Sequence, residues 1–121
     1  GIPVGRSAHT LHCRLRYFDP ETRRAGLPPD VAALVDAMSD DEVRVQLINL
    51  DPIRERHVVI QGGAYGEHRM GSVAVEDGVK VDVPGDGSAF TVRLAPGAGS
   101  RLTISQKRFS RQPTFTFPWD R

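Results

Sequence analysis

Apolar and polar residues alternate along much of the chain, which is the pattern of β-strands that bury one face. The first such run begins at Leu11 and ends at Tyr17, with polar or charged residues between the apolar ones. Further runs with the same period follow, and together they predict about eight strands: residues 11–17, 43–47, 58–60, 73–75, 79–83, 90–94, 102–104 and 115–119.

Short turns join these predicted strands. Asp77-Gly78 separates two valine-rich runs, and this dipeptide favours a two-residue hairpin because both turn positions adopt positive φ. Residues 84–87 and 95–99 are equally short and rich in glycine and proline. Parallel strands need crossovers of about a dozen residues or more, which are missing after Val43. We therefore predict antiparallel pairing.

One segment has helical spacing, and it determines how the sheet must be covered. Its apolar residues fall at positions i, i+3, i+4 and i+7: Val31, Leu34, Val35 and Met38. Because Pro29 and Asp30 suit a helix entry, the spacing predicts a helix over residues 30–38. One helix cannot cover eight strands, so the sheet must fold onto a second sheet or close on itself. We predict an all-β fold, an antiparallel β-sandwich of about eight strands with one short helix, as a single domain over residues 1–121.

Charge and composition exclude several classes of protein. Sixteen basic and fifteen acidic residues leave a net charge of +1, whereas a nucleic-acid binder usually carries a concentrated positive excess. No run approaches the about 20 apolar residues of a membrane helix, so we expect neither nucleic acid nor membrane as a partner. The single cysteine, Cys13, excludes an internal disulfide and a multi-cysteine zinc site, and it lies on the apolar side of the first run.

The densest group of polar side chains lies in residues 61–69, QGGAYGEHR. One interpretation is a ligand-binding loop, in which Tyr65 stacks on a sugar or base while Glu67 and His68 provide hydrogen bonds or metal ligands. The other is a strand connection that needs glycine for its backbone and turns its polar side chains to water. The composition of the loop is compatible with both.

A histidine–glutamate metal site is a further alternative. His57, Glu67 and His68 could converge inside a barrel, as the metal ligands of cupins do. The chain lacks the His-x-His pair of cupins. His9 and His12 are three residues apart, so in a strand they would point to opposite faces. We therefore predict no metal site.

Aromatic and basic residues are concentrated towards the C-terminus. Phe115, Phe117 and Trp119 alternate with threonine and proline, which predicts one aromatic face on a last strand. That face suits a sugar-stacking platform, a sandwich core or a seam against another domain. Before it lies a basic loop containing Lys107, Arg108 and Arg111, which could bind an acidic partner.

Two stretches of the chain resemble a known class of domain. Residues 43–52, VRVQLINLDP, resemble the strand-Asn-turn opening of β-sandwich domains that follow the catalytic domain in bacterial glycoside hydrolases. Residues 90–104, FTVRLAPGAGSRLTI, resemble their closing hairpin, with its Leu-x-Pro-Gly turn. The resemblance implies a C-terminal accessory domain that packs against a catalytic barrel, with no catalytic residue of its own.

The sequence thus leads to a main hypothesis and two alternatives. The main one is a non-catalytic domain of a carbohydrate-active enzyme, without metal or cofactor, whose partners are the catalytic domain of the same enzyme and polysaccharide. Its candidate ligand-binding residues are Tyr65, Glu67, His68 and Trp119. The first alternative is a self-sufficient, cupin-like β-barrel enzyme or small-molecule-binding protein with a site around His57, Tyr65, Glu67 and His68. The second is a module that binds an acidic partner through residues 107–111.

Overall fold

The protein is described by a computed structural model, which covers residues 14–76, 80–83, 85–109, 114 and 116–120. Nine strands lie in these residues: β1 (Leu15–Asp19), β2 (Arg24–Ala25), β3 (Val31–Met38), β4 (Glu42–Asn49), β5 (Arg56–Gly62), β6 (Arg69–Val75), β7 (Lys80–Asp82), β8 (Ala89–Leu94) and β9 (Gly99–Lys107). A single 3-10 turn, Pro118–Asp120, is the helical element among them. None of the described residues forms a helix with the length and hydropathy needed to cross a membrane.

The strands form two open sheets in which every pairing is antiparallel. The four-stranded sheet has the order β2-β1-β5-β8, and the five-stranded sheet has the order β3-β4-β9-β6-β7. The prediction of an all-β, two-sheet antiparallel fold is confirmed. The closed barrel that the cupin-like alternative requires is not formed by these sheets.

The predicted helix over residues 30–38 is wrong, because this segment is strand β3, paired with β4 along its length. A bulge between Val35 and Ala37 shifts the alternation of side chains by one residue. Val35 and Met38 consequently pair with Val45 and Val43, two fully buried residues, and share their side of the sheet. A bulged strand can thus imitate helical spacing in sequence.

The last predicted strand is also wrong where it is described. Residues 116–120 end in the 3-10 turn and pair with no strand, while Phe115 lies outside the described residues. Cys13, His9, His12 and Asp77-Gly78 lie outside them as well. β6 and β7 pair antiparallel on either side of Asp77-Gly78, as expected, but Ala74 pairs with Lys80, whereas a two-residue turn there would pair Ala74 with Val81.

One hydrophobic core fills the space between the two sheets. The four-stranded sheet contributes Leu15, Val58, Ile60 and Leu94, and the five-stranded sheet contributes Val31, Val43, Val45, Leu47, Met70, Val73, Leu102 and Ile104. The outer face of the five-stranded sheet is mostly polar, as expected for a solvated face, with Leu34 and Ile48 as apolar exceptions. The outer face of the four-stranded sheet instead carries Phe18 and Val59, both buried, and it positions the candidate site.

Candidate functional site

The glycine loop, residues 63–68, connects β5 to β6 and turns its polar side chains inward. The backbone N–H of His68 donates to the carbonyl of Gly62 at 3.0 Å and closes the loop. Glu67 is 3% exposed and His68 is 0% exposed. The alternative in which the polar side chains face water is therefore wrong for these two residues. Their burial also leaves neither side chain accessible to a bound ligand, while Tyr65 is half-buried.

The carboxylate of Glu67 stabilises the loop from inside. Its Oε1 accepts a hydrogen bond from the backbone N–H of Tyr65 at 2.9 Å. Gly63 has a φ of 88°, and a Cβ placed there would lie 2.6 Å from the same oxygen. Glycine at this position therefore meets two needs, a left-handed backbone and room for the carboxylate.

His68 connects the glycine loop to the segment that follows β9. Its Nδ1 accepts a hydrogen bond from the backbone N–H of Phe109, and the Phe109 ring meets the imidazole edge-on at 4.7 Å. Since Nδ1 accepts, the proton of the neutral ring is on Nε2, which lies 3.8 Å from Oε2 of Glu67. These contacts give the imidazole a packing and orienting role.

A buried arginine lies next to the loop. The guanidinium of Arg14 donates through Nε to the side-chain carbonyl of Gln106 at 2.6 Å, and Gln106 donates back to the carbonyl of Arg14. The same carbonyl accepts the backbone N–H of Gly63. Burial lowers the pKa of Arg14, and the like charge of Arg108 lowers it further. The first turn of the loop is thus fixed to both sheets.

Trp119 packs on the outer face of the four-stranded sheet. Its ring meets Phe18 at 5.9 Å and Phe117 at 5.2 Å, both nearly edge-on. The guanidinium of Arg23 lies over the indole at 5.1 Å and forms an exposed ion pair with Asp120. Phe117 and Trp119, two of the three residues of the predicted aromatic face, therefore pack against the four-stranded sheet. Residues 116–120 form a partial third layer over this sheet.

The Trp119 cleft is an open cavity of about 250 Å³ between this segment and the sheet. It is lined by Pro20, Val59, Ala89, Phe90, Thr91, Pro118 and Trp119. Trp119 and Pro118 supply apolar lining from the C-terminal segment, and the strand residues of the lining include the hydroxyl-bearing Thr91. A cavity with an apolar wall and few polar groups is the usual form of a small-ligand site.

Three charged or polar side chains, the Glu55 triplet, lie near this cleft. His57 and Arg93 are cross-strand partners on β5 and β8. Oε2 of Glu55 lies 3.2 Å from Nε2 of His57, and its Oε1 lies 3.7 Å from Nε of Arg93. All three side chains are at least partly exposed, so they are accessible from solvent.

The structure does not bring together the residues of the metal-site alternative. His57 pairs with Glu55 in the triplet, while Glu67 and His68 are buried in the glycine loop. Within the described ranges, no group of three or more histidine, cysteine, aspartate or glutamate side chains could hold a metal ion.

A larger apolar groove, about 440 Å³, lies where the two sheets part between edge strands β7 and β8. Its apolar lining consists of Val73, Val75, Val81, Val83, Phe90, Val92 and Leu102. It is continuous with the core cluster, which contains Val73 and Leu102 and against which Val75, Val83, Phe90 and Val92 pack. We interpret it as an edge of the core that the described residues leave open.

The two stretches that carry the family resemblance meet at Asn49. Its buried amide donates to the carbonyls of Arg54 at 2.8 Å and Ala95 at 3.2 Å, which joins the end of β4 to the β8–β9 turn. Its side-chain oxygen accepts the N–H of Asp51. Asp51 in turn accepts N–H groups from Ile53 and Arg54, which lower its pKa together with the nearby guanidinium of Arg56. This junction is a structural feature of one end of the sandwich.

Sequence reasoning identified Trp119 and His57 and missed their neighbours. Glu55, Thr91 and Arg93 stand in or beside strands and have no motif to distinguish them. The period of two along each strand is the signal that could have found them. Since Val58 and Val92 face the core, residues 57, 59, 91 and 93 must lie on the opposite face. The pairing of β5 with β8, which only the fold reveals, is also needed to bring them together.

The predicted basic loop is described only in part. Lys107 is the last residue of β9 and Arg108 follows it, while Arg111 lies outside the described residues.

The architecture and these contacts are the basis for any functional assignment. The chain matches no protein-family model, no curated protein and no solved structure.

Proposed function

We propose that this chain is a non-catalytic β-sandwich domain of a carbohydrate-active enzyme, a glycoside hydrolase, and that it contacts glycan at the Trp119 cleft. The observation that carries the proposal is the position of the indole, which lines an open cavity together with Thr91. Flat apolar rings stack on the C–H faces of sugars, and tryptophan adds a large contact area. Arg23 lies over the ring, but its ion pair with Asp120 is solvent-exposed and weak, so the guanidinium can move aside.

The glycine loop fits this proposal as a structural element. The buried carboxylate of Glu67 holds the loop from inside, and His68 connects it to Phe109 after β9. The N–H of Thr114 also donates to the carbonyl of Tyr65 at 2.7 Å. The loop thereby helps to hold Thr114, and with it the segment 116–120 that carries Trp119, against the sheet.

Contact with the catalytic domain needs a separate apolar surface. Phe117 and Trp119 pack on Phe18, so we assign this contact to edge strand β3. Leu34 and Met38 are each 60% exposed there, on opposite faces of the strand. Exposed apolar edge strands are typical of surfaces that another chain or domain covers.

The test uses the fact that Trp119 is the only tryptophan of the chain. The fluorescence of Trp119 should shift when the protein is titrated with soluble polysaccharide fragments. In native gels that contain polysaccharide, the wild-type protein should migrate more slowly than in plain gels, and Trp119→Ala should lose this retardation. Trp119→Phe should retain part of the retardation because it keeps a stacking ring. Val81→Ala, at an exposed apolar residue on β7 of the other sheet, is the matched control and should behave as wild type. Unchanged retardation of folded Trp119→Ala on every glycan tested would refute the proposal.

A further inference from the structure

We propose that the Glu55 triplet (Glu55, His57 and Arg93) is the polar half of the glycan site and that the site binds neutral glycans through two adjacent hydroxyls. This inference rests on the proposed function, because it names the class of glycan for the same site.

Register and side-chain alternation place the triplet on the same face as the Trp119 cleft. Val59 and Thr91 are cross-strand partners that line the cleft, and His57 and Arg93 form the next pair on that face. Successive residues in a strand rise about 3.3 Å, so the two rows lie about 7 Å apart. A sugar ring that stacks at Trp119 can therefore extend its hydroxyls, or the next sugar of the chain, over the triplet.

The contacts of Glu55 orient the triplet before any ligand arrives. One carboxylate oxygen lies near His57 and the other near Arg93, so the carboxylate bridges the two strands. The pair with Arg93 is worth little in free energy, because the guanidinium side chain is 73% exposed. A ligand hydroxyl can enter between the two groups without breaking a strong interaction.

The chemistry of the triplet indicates a neutral ligand. A hydroxyl both donates and accepts, so two adjacent hydroxyls can donate to the carboxylate of Glu55 and accept from the guanidinium of Arg93. The charges of Glu55 and Arg93 cancel, as do those of Arg23 and Asp120 beside the indole, which leaves no excess of fixed positive charge for an acidic sugar. A uronate carboxylate placed here would meet the carboxylate of Glu55 as well as the guanidinium of Arg93, so repulsion offsets attraction.

The experiment compares two ligands and matched variants by Trp119 fluorescence. Neutral gluco- and xylo-oligosaccharides are titrated against galacturonate oligosaccharides of the same length. We expect a neutral series to bind more tightly, and Glu55→Gln and Arg93→Gln to weaken that binding about tenfold, or ~1.4 kcal/mol. Arg101→Gln is the matched control, because Arg101 forms a similar surface pair with Asp36 on the other sheet and should leave affinity unchanged.

The outcomes separate this inference from the proposed function. If glycan binding depends on Trp119 but is unchanged in Glu55→Gln and Arg93→Gln, the triplet has no role in the site and the inference is overturned. Tighter binding of the galacturonate series than of the neutral series also overturns the inference, but the proposed glycan-binding function would still hold. If no oligosaccharide or polysaccharide binds, the proposed function fails and this inference fails with it.

Discussion

Nδ1 of His68 accepts a hydrogen bond from the backbone N–H of Phe109 at 3.0 Å, across 41 residues of chain. The bond joins the glycine loop to the segment that leads from β9 towards Trp119. It also gives a histidine that looks like a metal ligand in sequence a structural role, because the ring is fully buried between its neighbours.

Replacement of His68 should therefore reduce stability. We expect His68→Ala to lower the free energy of unfolding by about 2–4 kcal/mol, since it removes a buried ring and leaves the N–H of Phe109 without that acceptor. His57→Ala, at a partly exposed histidine, should cost less than about 0.5 kcal/mol. Urea unfolding monitored by Trp119 fluorescence measures both values. Equal stability of the two variants would contradict the structural role of His68.

A comparison of alanine variants at Gly63 and Gly26 distinguishes the cost of backbone strain from the cost of side-chain crowding. Both have positive φ, 88° and 105°, but a Cβ at Gly26 would meet nothing within 4 Å. Gly26→Ala should cost about 1–2 kcal/mol for the left-handed backbone alone. Gly63→Ala should cost a further ~1–3 kcal/mol, because the methyl group collides with the carboxylate of Glu67. Thermal unfolding of the two variants gives the difference, and a smaller loss in Gly63→Ala would be inconsistent with this packing.

The turn at Asp51 should contribute to acid sensitivity. The N–H groups of Ile53 and Arg54, aided by Arg56, hold the pKa of Asp51 below its ordinary value of 3.8. A carboxylate with a lowered folded-state pKa stabilises the fold above its unfolded-state pKa, and this contribution is lost as the pH falls through the folded-state value. The stability advantage of wild type over Asp51→Asn should therefore be constant near neutral pH and shrink below about pH 4. Chemical unfolding between pH 7 and pH 2 checks this, and an advantage that grows on acidification would reverse the assignment.

The exposed edge strand β3 should make the isolated chain associate. Sedimentation velocity should show a sedimentation coefficient that rises with protein concentration, because Leu34 and Met38 present apolar surface beside a strand edge that no described strand pairs with. The double variant Leu34→Lys, Met38→Lys should remain monomeric, since charge on an edge strand opposes pairing. Ile53→Lys removes an apolar side chain of greater exposure from a turn and should leave the association unchanged. Association that persists in the double variant would exclude β3 as the surface responsible.

Much of the strand content could be predicted from sequence, and the reason is visible in particular residues. Val43, Val45 and Leu47 alternate with polar residues, and all three are buried in β4. The same rule failed at β3, because the bulge before Ala37 shifted the alternation and apolar side chains occupy both faces. It failed again near Trp119, where the described residues pack on a sheet without joining it.

The candidate site was only partly predictable. Trp119 stands out by residue type, whereas Thr91 and Arg93 become neighbours of the cleft through the register of β5 with β8. The glycine loop shows the opposite case. Its polar composition suggested a ligand site, but the fold places Glu67 and His68 inside, where they bond to the backbone N–H groups of Tyr65 and Phe109.

The sequence by itself determined that the chain forms extended strands with one buried face, joined by short turns into antiparallel neighbours. These properties depend on side-chain period and turn chemistry, which are local. Only the tertiary structure decided that residues 31–38 form an edge strand, that the histidine of the glycine loop is buried, and that Trp119 lies over the outer face of a sheet near Glu55 and Arg93. Each of these depends on which strands pair and in what register, and contacts between residues far apart in the chain select that pairing.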